Sequence, residues 1–551
     1  MRTHWISEEI VTEMNGARAL LATLLDSGVN VFFANPGTSE MQLVAALDAF
    51  EQMHGVLCLF EGVATGAADG YGRMTGRPAA TLLHLGPGLG NGMANLHNAR
   101  RAGTPLVNIV GDHATYHKHL DAPLESDIDS MAGTVSAWLR RSPSVAEIGR
   151  DTAAAVQAAL SAPDAAGESR DESRTGTSGS VATLIVPADV SWSPGARPSA
   201  PAQPDTPAPV GAEVIDAVAA AFRSGEPTVL LLGGAALSEA GLRAASRIEQ
   251  ATGARVFAEL WPTRQRQGAG VPAVPPLAYR AEDIRTQLHG TKNLVLAGTR
   301  EPVSSFAYPG QASELTPPEA RVLRFPGRVD ADLVAALDRL ADVLAPGVEP
   351  VLAPRAARNL PSGGLNVANW AQVIGALLPE DAIVCDESIT SGLATLPAAL
   401  VGAAAHDLLG LTGLSVGQGL PLATGAAIAC PRRPVVCLEA DGSAMYTLSA
   451  LWTQAREHLD VTTVLLNNRS YAILRAELDR VGATTTGLAS ARLLDLTGPD
   501  LDFVALATGM GVPATRATTA GQLAEQFAAA VAEPGPHLIE AVLGADPGAA
   551  A

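Results

Sequence analysis

Two apolar runs separated by a single amphipathic segment limit the folds that are open to this sequence. Val435–Leu438 and Val461–Leu466 are typical of buried parallel strands, and Tyr446–His458 between them predicts a helix. Asp441 follows the first run and Asn468 follows the second. Because ligands bind beyond the carboxyl ends of parallel strands, we expect these two side chains to lie together at one edge of a sheet.

The polar residues at this edge form a set of hard oxygen ligands. The Asp441 carboxylate, the Asn468 amide oxygen and the Ser470 carbonyl are of the kind that Mg²⁺ prefers. Gly442 and Ser443 would let backbone N–H groups approach a phosphate at the start of the following helix. The alternative is an ordinary Asp-Gly turn and an unrelated Asn-Asn loop. The strand–helix–strand context favours a shared site over this alternative. The pattern predicts a magnesium ion that holds a diphosphate.

The stretch 439–471 resembles the thiamine-diphosphate motif of a superfamily that includes acetolactate synthases, pyruvate oxidases and benzoylformate decarboxylases. That motif normally opens Gly-Asp-Gly, and Ala440 replaces its first glycine here. Asp441 and Gly442, which carry the metal and phosphate contacts in the family, are both present. The resemblance implies thiamine diphosphate and Mg²⁺ as cofactors, with the three oxygen ligands named above holding the metal.

Connectors rich in proline and alanine divide the 551 residues into three units. Ser193–Pro209 and Ala345–Gly364 are such connectors, and each predicts a domain boundary. We expect domains at 14–192, 210–345 and 365–545. The superfamily has a pyrimidine-binding, a middle and a diphosphate-binding domain in this order, so the resemblance covers essentially the whole chain. It implies an α/β fold of three consecutive doubly wound parallel-sheet domains.

Short apolar runs bounded by glycine, proline or polar residues predict further strands in these domains. They alternate with helical segments, as parallel sheets require. The predicted strands are Val29–Phe33, Ala79–Leu83, Leu106–Val110, Val181–Val186, Thr228–Leu232, Arg255–Phe257, Leu294–Ala297 and Ala382–Cys385.

Two segments are expected to lie outside the domains. Asp164–Gly179 is poor in apolar residues and rich in Ser, Gly, Glu and Arg, which predicts a mobile surface insertion. Relatives in the family begin near Met14, so residues 1–13 are expected to be an extension or a misassigned start.

Glu61 is a second polar residue at the end of an apolar run. Thiamine chemistry needs a carboxylic acid beside N1′ of the aminopyrimidine ring, where it exchanges a proton. The segment 67–76 resembles the Ala-Ala-Asp-Gly-Tyr helix of the family, so Glu61 matches the catalytic glutamate. A helix-capping carboxylate is the alternative, and the motif at Asp441 favours the catalytic role.

His84 follows the predicted strand Ala79–Leu83, at the position where benzoylformate decarboxylases carry a histidine for proton transfer. The segment Asn35–Glu40 also resembles their Asn-Pro-Gly-Ser loop, with Thr38 in place of the serine. Their second histidine has no counterpart in Ser304–Gly310. The resemblance therefore predicts a catalytic His84 without a complete benzoylformate decarboxylase site.

Two further positions complete the predicted cofactor pocket. Val416 falls where the family has a bulky apolar residue beneath the bent cofactor, and Ser388 is expected to bind diphosphate. The glycine-rich run 86–92 is expected to be an active-site loop and not a dinucleotide fingerprint, because Pro87 disrupts that motif. Acetolactate synthases bind flavin in the middle domain, but their flavin-binding stretch has no clear counterpart here, which argues against FAD.

Charge and composition limit the expected partners. The net charge of −19, without a Lys/Arg run, argues against nucleic acid or an anionic membrane surface. Four cysteines without paired spacing, no signal-peptide pattern and no apolar run near ~18 residues predict a cytoplasmic protein with no membrane span. The superfamily binds its cofactor between subunits, which implies a homodimer or homotetramer with Glu61 and Asp441 on different chains.

The resemblance implies an enzyme that acts on 2-oxo acids. It is closest to acetolactate synthase large-subunit-like proteins, particularly at Phe33–Met41, Leu59–Gly66 and Gly111–Tyr116. After carbon dioxide leaves, the remaining fragment either joins a second 2-oxo acid, as in acetolactate synthesis, or takes a proton and leaves as an aldehyde. An inactive cofactor-binding relative with a regulatory role is the third interpretation. The sequence leaves the fate of the fragment open.

Overall fold

The computed structural model describes residues 14–161, 179–203, 209–325, 332–357, 359–483 and 487–544. These residues form two compact units. The first unit contains the described residues up to 203 together with Gly413–Ala429, and the second contains the rest. The predicted extension at 1–13, and all but the last residue of the predicted insertion at Asp164–Gly179, lie outside the described residues.

The first unit is built on a parallel six-stranded sheet in the order β2-β1-β3-β4-β6-β5. The chain moves outward from β1 in both directions, which is a doubly wound arrangement. The strands are β1 (Val31–Ala34), β2 (His54–Leu57), β3 (Ala79–Leu83), β4 (Leu106–Asp112), β5 (Trp138–Arg141) and β6 (Val181–Pro187). The helices are α1 (Gly16–Asp26), α2 (Met41–Ala46), α3 (Glu61–Thr75), α4 (Leu85–Ala102), α5 (Ile128–Gly133), α6 (Ile148–Leu160) and α7 (Ala188–Trp192).

The second unit begins with a parallel four-stranded sheet in the order β11-β10-β7-β8. The strands of this part of the chain are β7 (Thr228–Leu232), β8 (Arg255–Ala258), β9 (Gln265–Gln267), β10 (Asn293–Ala297) and β11 (Arg321–Arg324). Its helices are α8 (Ala212–Arg223), α9 (Glu239–Thr252), α10 (Ala281–Leu288) and α11 (Leu333–Leu344).

Strand β7 shows why the buried strands read as unbroken apolar runs. Val229 and Leu231 pack into one apolar cluster, whereas Leu230 and Leu232 pack into another. Successive side chains of a strand point to opposite faces, so a strand covered by helices on both faces needs apolar residues at every position.

The second unit also contains a seven-stranded sheet in the order β16-β17-β15-β14-β12-β13-β9. All neighbouring pairs are parallel except that of β13 with β9, which is antiparallel. The remaining strands are β12 (Ile383–Glu387), β13 (His406–Leu409), β14 (Val435–Ala440), β15 (Val461–Asn467), β16 (Ala514–Ala517) and β17 (His537–Val542).

The remaining helices follow these strands along the chain, and α14 belongs to the first unit. None of the described helices is both long enough and apolar enough to cross a membrane. The helices are α12 (Trp370–Leu377), α13 (Leu396–Val401), α14 (Gly419–Ala429), α15 (Asp441–Thr447), α16 (Ala450–Arg456), α17 (Ala472–Arg480), α18 (Leu488–Leu493), α19 (Phe503–Gly509) and α20 (Ala520–Ala530).

The predicted fold class, an α/β chain with three doubly wound and mainly parallel sheets, is confirmed. The strands Ala79–Leu83 and Thr228–Leu232 match at both ends. The predicted helix Tyr446–His458 is confirmed as helical over Ala450–Arg456 but has the wrong bounds, because the structure has two short helices there and the first begins at Asp441 itself. An acidic residue is stable in the first turn of a helix, so no loop is needed between strand and helix at this point.

Candidate active site

Glu61 is the first residue of α3 and its side chain is buried, with 6% of the residue exposed. Its Oε2 atom accepts a hydrogen bond from Asn91 Nδ2 of α4 at 3.0 Å. A Cβ atom at Gly88 would lie 3.1 Å from Glu61 Oε1, so the close approach of α4 to this carboxylate favours glycine there. Among the described residues, the carboxylate bonds to α4 and not to the N–H groups of its own first turn, which disfavours the capping alternative.

His84 follows β3, and its Nδ1 atom lies 2.8 Å from Glu40 Oε2. The Gly37 N–H donates to the same oxygen at 2.8 Å, and Glu40 is only 1% exposed. Burial raises the pKa of Glu40, while the neighbouring His84 and the Gly37 N–H oppose that shift. Sequence reasoning did not single out Glu40, although it closes the segment Asn35–Glu40 that carried part of the resemblance.

The glycine-rich run 86–92 forms the first two turns of α4, so the expectation of a loop is wrong. Pro87 fits there because the N–H groups of a first helical turn have no partner within the helix. A Cβ atom at Gly92 would lie 3.0 Å from the Thr65 side chain of α3. The glycines thus serve the close packing of α4 against the helix that carries Glu61.

One face of α4 also holds the loop that carries Val416, which belongs to the same unit. Asn98 pairs with the peptide of Ser415: its Nδ2 donates to the carbonyl at 2.8 Å and its Oδ1 accepts from the N–H at 3.2 Å. Asn95 Nδ2 donates to the Gly417 carbonyl at 3.3 Å and to a carbonyl in the first turn of α3 at 2.8 Å. The structure therefore brings the loop of Val416 next to the start of the Glu61 helix. Neither asparagine was singled out from the sequence.

In the second unit, the Asp441 carboxylate joins the ends of β14 and β15. Its Oδ2 atom accepts from the Arg469 N–H at 2.6 Å, and its Oδ1 atom accepts from the Gly442 N–H at 2.8 Å. Asn468 Oδ1 accepts from the Ser470 N–H at 2.9 Å in the same turn. The structure thus places Asp441 directly against the turn 468–470.

The Asp441 side chain has the character of a cation ligand. It is 2% exposed, and burial raises its pKa to about 6. Its hydrogen bonds come from backbone N–H groups. Burial of a charged carboxylate costs free energy unless a cation lies beside it. The described residues contain no cluster of three or more His, Cys, Asp or Glu side chains that could hold a metal. A metal at Asp441 would therefore depend on amide, carbonyl and phosphate oxygens, which suit Mg²⁺.

Gly442 and Ser443 occupy the first turn of α15, which has only seven residues. A Cβ atom at Gly442 would lie 2.5 Å from the Tyr471 ring, so only glycine fits beside that aromatic side chain. Ser388 follows β12, and both its N–H and its hydroxyl donate to Asp386 Oδ1, at 3.0 and 2.6 Å. The hydroxyl of Ser388 already has an acceptor, a carboxyl whose pKa is raised by burial.

Backbone strain coincides with the predicted site positions. Seven described residues other than glycine have positive φ, and four of them lie within two residues of a predicted site position. Such conformations cost about 1–3 kcal/mol each and persist only where the surrounding structure demands them. The four are Leu85 (φ 49°) beside His84, Ile389 (φ 45°) beside Ser388, Leu414 (φ 57°) near Val416 and Arg469 (φ 59°) beside Asn468.

The segment Ser304–Gly310, which lacks the second histidine, contributes a tyrosine instead. Tyr308 donates its hydroxyl to Glu477 Oε2 at 2.7 Å, and the Arg480 guanidinium lies 4.2 Å from the centre of the Tyr308 ring. Burial and the bond to Glu477 raise the pKa of Tyr308. Both partners lie on α17, so this segment anchors the helix that follows the turn 468–470.

Comparison with known proteins defines the class to which this fold and site belong. Residues 14–132 match the family described as "Thiamine pyrophosphate enzyme, N-terminal TPP binding domain", and residues 408–541 match the corresponding C-terminal domain. A curated protein from Mycobacterium tuberculosis is 57% identical over 96% of this chain and 99% of its own length. The chain therefore belongs to the thiamine pyrophosphate enzyme family, as its sequence resemblance indicated.

The Mycobacterium tuberculosis relative is named "Putative acetolactate synthase large subunit IlvX". A second relative, benzoylformate decarboxylase from Pseudomonas aeruginosa, is 29% identical over 93% of this chain and 96% of its own. The fold also matches the solved 4-hydroxybenzoylformate decarboxylase of Rhodococcus jostii with a TM-score of 0.81 at 24% identity, covering 97% of this chain and 100% of the other. The protein is thus an acetolactate synthase-like thiamine diphosphate enzyme, with benzoylformate decarboxylases among its homologues.

Proposed function

We propose that the protein removes carbon dioxide from a 2-oxo acid such as pyruvate and joins the remaining fragment to a second 2-oxo acid. The observation that carries this proposal is the 57% identity, over nearly the whole chain, to a protein named as an acetolactate synthase large subunit. The test is a product screen with pyruvate, 2-oxobutyrate and aromatic 2-oxo acids. Formation of a 2-hydroxy-3-oxo acid supports the proposal, and failure to consume any 2-oxo acid in the presence of cofactor contradicts it.

Bound thiamine diphosphate supplies the carbon nucleophile and accepts the charge that is left when carbon dioxide departs. In our proposal, Glu61 exchanges a proton with N1′ of the aminopyrimidine, and Asn91 holds the carboxylate in place for this transfer. The burial of Glu61 keeps water from competing for that proton. Val416 would support the ring from below.

The second set of residues would hold the other end of the cofactor. We assign Mg²⁺ to the oxygens of Asp441, Asn468 and Ser470. The backbone of Gly442 and Ser443 would lie beside the diphosphate. Ser388 joins this set only if its hydroxyl leaves Asp386, to which it donates a hydrogen bond in this structure. Calorimetric titration with thiamine diphosphate, with and without Mg²⁺, tests the assignment. Binding that does not depend on the metal would contradict it.

Release of an aldehyde is the second candidate fate for the fragment. The contact between His84 and Glu40 favours it, because a paired imidazole can deliver a proton. The same product screen separates the two fates. An enzyme that yields only benzaldehyde from benzoylformate, and no ligated product from any pair of acids, would be a decarboxylase. An inactive regulatory relative would bind cofactor and release no carbon dioxide.

We also propose that the protein is a cytoplasmic homodimer or homotetramer with its active sites between subunits, as the family resemblance implies. Light scattering in the presence of cofactor tests the oligomeric state. Purely monomeric protein under those conditions would contradict the proposal. FAD is not part of it, and a flavin absorption spectrum of the purified protein would overturn that expectation.

A further inference from the structure

A cavity of about 450 Å³ lies within the second unit. One of its walls is the segment 260–279, which follows β8, and another is α13 with residues 392–393 before it. We call it the β8–α13 cavity. None of the described residues that line it is among those assigned to the cofactor. Folded proteins contain few voids larger than a water molecule, so this volume is that of a ligand site and not of a packing defect.

The wall formed by residues 272–278 is apolar and held in a fixed position. Its three prolines have a restricted φ and no N–H group, so it offers a ligand mainly apolar surface. The Gln287 side chain of α10 clamps this wall: Nε2 donates to the Pro276 carbonyl at 3.1 Å, and Oε1 accepts from the Ala278 N–H at 2.8 Å. A preformed wall does not have to be ordered when a ligand binds, which lowers the cost of binding.

Asp386 of β12 gives the cavity its charge. It is the only carboxylate or cation among the described residues that line the cavity, and it is partly exposed there. The hydrogen bonds that it accepts, from the N–H and the hydroxyl of Ser388, both go to Oδ1. Burial raises the pKa of Asp386, and among the described residues only Ser388 opposes that shift. Because the cavity is mainly apolar, a cation beside Oδ2 would stabilise this carboxylate.

Ser388 connects the cavity with the proposed cofactor site. Its hydroxyl donates to Asp386 Oδ1 at 2.6 Å, and a side chain at Gly392, another residue of the cavity wall, would overlap that hydroxyl. Ser388 can bind the diphosphate only when this hydroxyl leaves Asp386. A carboxylate that is paired with a cation loses less when one donor leaves, because its charge stays compensated. A cation in the cavity therefore favours the state in which Ser388 binds the diphosphate.

We propose that the β8–α13 cavity binds a small apolar amine, whose protonated nitrogen pairs with Asp386, and that this ligand raises the affinity of the protein for thiamine diphosphate. The ammonium group matches the single negative charge of the cavity, and the hydrocarbon body matches its proline and leucine walls. An anionic ligand would meet a like charge at Asp386. The net charge of −19 also favours the approach of a cation.

The two parts of this inference have different foundations. The amine site depends only on the cavity and on Asp386. The coupling to the cofactor rests on the proposed function, through the role of Ser388 at the diphosphate. Because coupling between two binding sites is reciprocal, thiamine diphosphate should raise the affinity for the amine by the same factor.

The first test is calorimetric titration of the whole protein with phenylbutylamine at neutral pH, where the amine is protonated. Phenylbutanol and phenylbutyrate are the matched probes, because they keep the hydrocarbon body and replace the ammonium with a hydroxyl or a carboxylate. We expect the amine to bind about tenfold more tightly than the alcohol or better, since hydrogen bonds to charged groups are the stronger ones, and the butyrate not to bind. Equal binding of the three probes, or no binding of the amine, would overturn the proposal.

Two variants locate the site. Asp386→Asn removes the charge but keeps an acceptor for Ser388, so it should weaken amine binding by about tenfold and leave phenylbutanol binding nearly unchanged. Leu393→Trp enlarges a side chain of the cavity wall and should weaken binding of both probes. Asp500→Asn and Leu488→Trp, at exposed positions in the same unit, are the matched controls. Unchanged amine binding in either cavity variant contradicts the proposed site.

The coupling is measured by titrating thiamine diphosphate and Mg²⁺ into the protein with and without saturating phenylbutylamine. We expect the amine to raise cofactor affinity by about fivefold or more. Ser388→Ala should still bind the amine but show no such gain. Unchanged cofactor affinity in the wild type, or a gain that persists in Ser388→Ala, overturns the coupling. If the protein binds the amine but no thiamine diphosphate, the proposed function fails and the amine site stands. If it binds the cofactor but no amine, the reverse holds.

Discussion

The two neighbourhoods that contain the proposed site residues hold their carboxylates in different ways. In the first unit, Glu61 is held by the Asn91 side chain and Glu40 faces the His84 ring. In the second unit, Asp441 accepts its hydrogen bonds from the backbone. Side-chain partners suit a group that must exchange protons in a fixed direction. Backbone partners suit a carboxylate that binds a metal ion. Isosteric changes should therefore slow chemistry in the first neighbourhood and weaken cofactor binding in the second.

The most severe loss should follow Glu61→Gln. The amide cannot exchange a proton with the aminopyrimidine, so carbon dioxide release should fall by about 10²–10⁴-fold. Thiamine diphosphate affinity should change little, because Glu61 is not among the residues assigned to the diphosphate and metal. Stopped assays of carbon dioxide release and calorimetric titration check the two halves of this expectation. Glu51→Gln is the control, and a fully active Glu61→Gln enzyme would refute the role of Glu61.

Asp441→Asn should show the opposite pattern. It removes the one carboxylate of the proposed metal set, so Mg²⁺-dependent affinity for thiamine diphosphate should fall by about 10–100-fold or more. When the cofactor is raised to saturation, the activity of Asp441→Asn should recover to a larger fraction of the wild-type value than the activity of Glu61→Gln does. Calorimetry and a cofactor titration of activity measure both quantities. Asp500→Asn, at an exposed position in the same unit, is the matched control. Unchanged affinity would remove Asp441 from the metal site.

Mixing the two variants, at a cofactor concentration too low to restore activity to Asp441→Asn, tests whether the neighbourhoods combine across subunits. In a dimer with shared sites, a heterodimer of Glu61→Gln and Asp441→Asn has one site with both changes and one with neither. Half of a random mixture is heterodimer, so about a quarter of wild-type activity should return. The variants are mixed, allowed to exchange subunits, and assayed for carbon dioxide release. If each chain supplies its own complete site, no activity will return.

Much of the fold could be predicted because the buried strands are so apolar. Thr228–Leu232 is covered on both faces, so its composition alone indicates a central parallel strand. Asp441 and Asn468 could be predicted to meet because parallel strands bring their carboxyl ends to one edge. Prediction failed where local sequence is ambiguous: Tyr446–His458 has a continuous helical pattern, but the first helix there ends at Thr447.

The contacts that hold the site could not be predicted from one sequence. Glu40 and His84 lie 44 positions apart, and nothing in the spacing of a glutamate and a histidine indicates a hydrogen bond between them. Asn95 and Asn98 bind the loop of Val416 from more than 300 positions away. Such pairs depend on how whole helices pack, and helix packing depends on shape and not on local propensity.

The smallest predicted effect concerns the support of the second neighbourhood. Tyr308→Phe keeps the ring under Arg480 but removes the hydroxyl bond to Glu477, which leaves a charged acceptor without that donor. A hydrogen bond to a charged group contributes about 1.5–3 kcal/mol, so backbone amides of α17 should exchange with deuterium roughly tenfold faster or more if α17 opens locally. Exchange in α4, within the first unit, should not change. Tyr116→Phe, an exposed tyrosine at 66%, is the control. Unchanged exchange in α17 would mean that the turn 468–470 does not depend on this anchor, and that the backbone around Asp441 is sufficient to hold it.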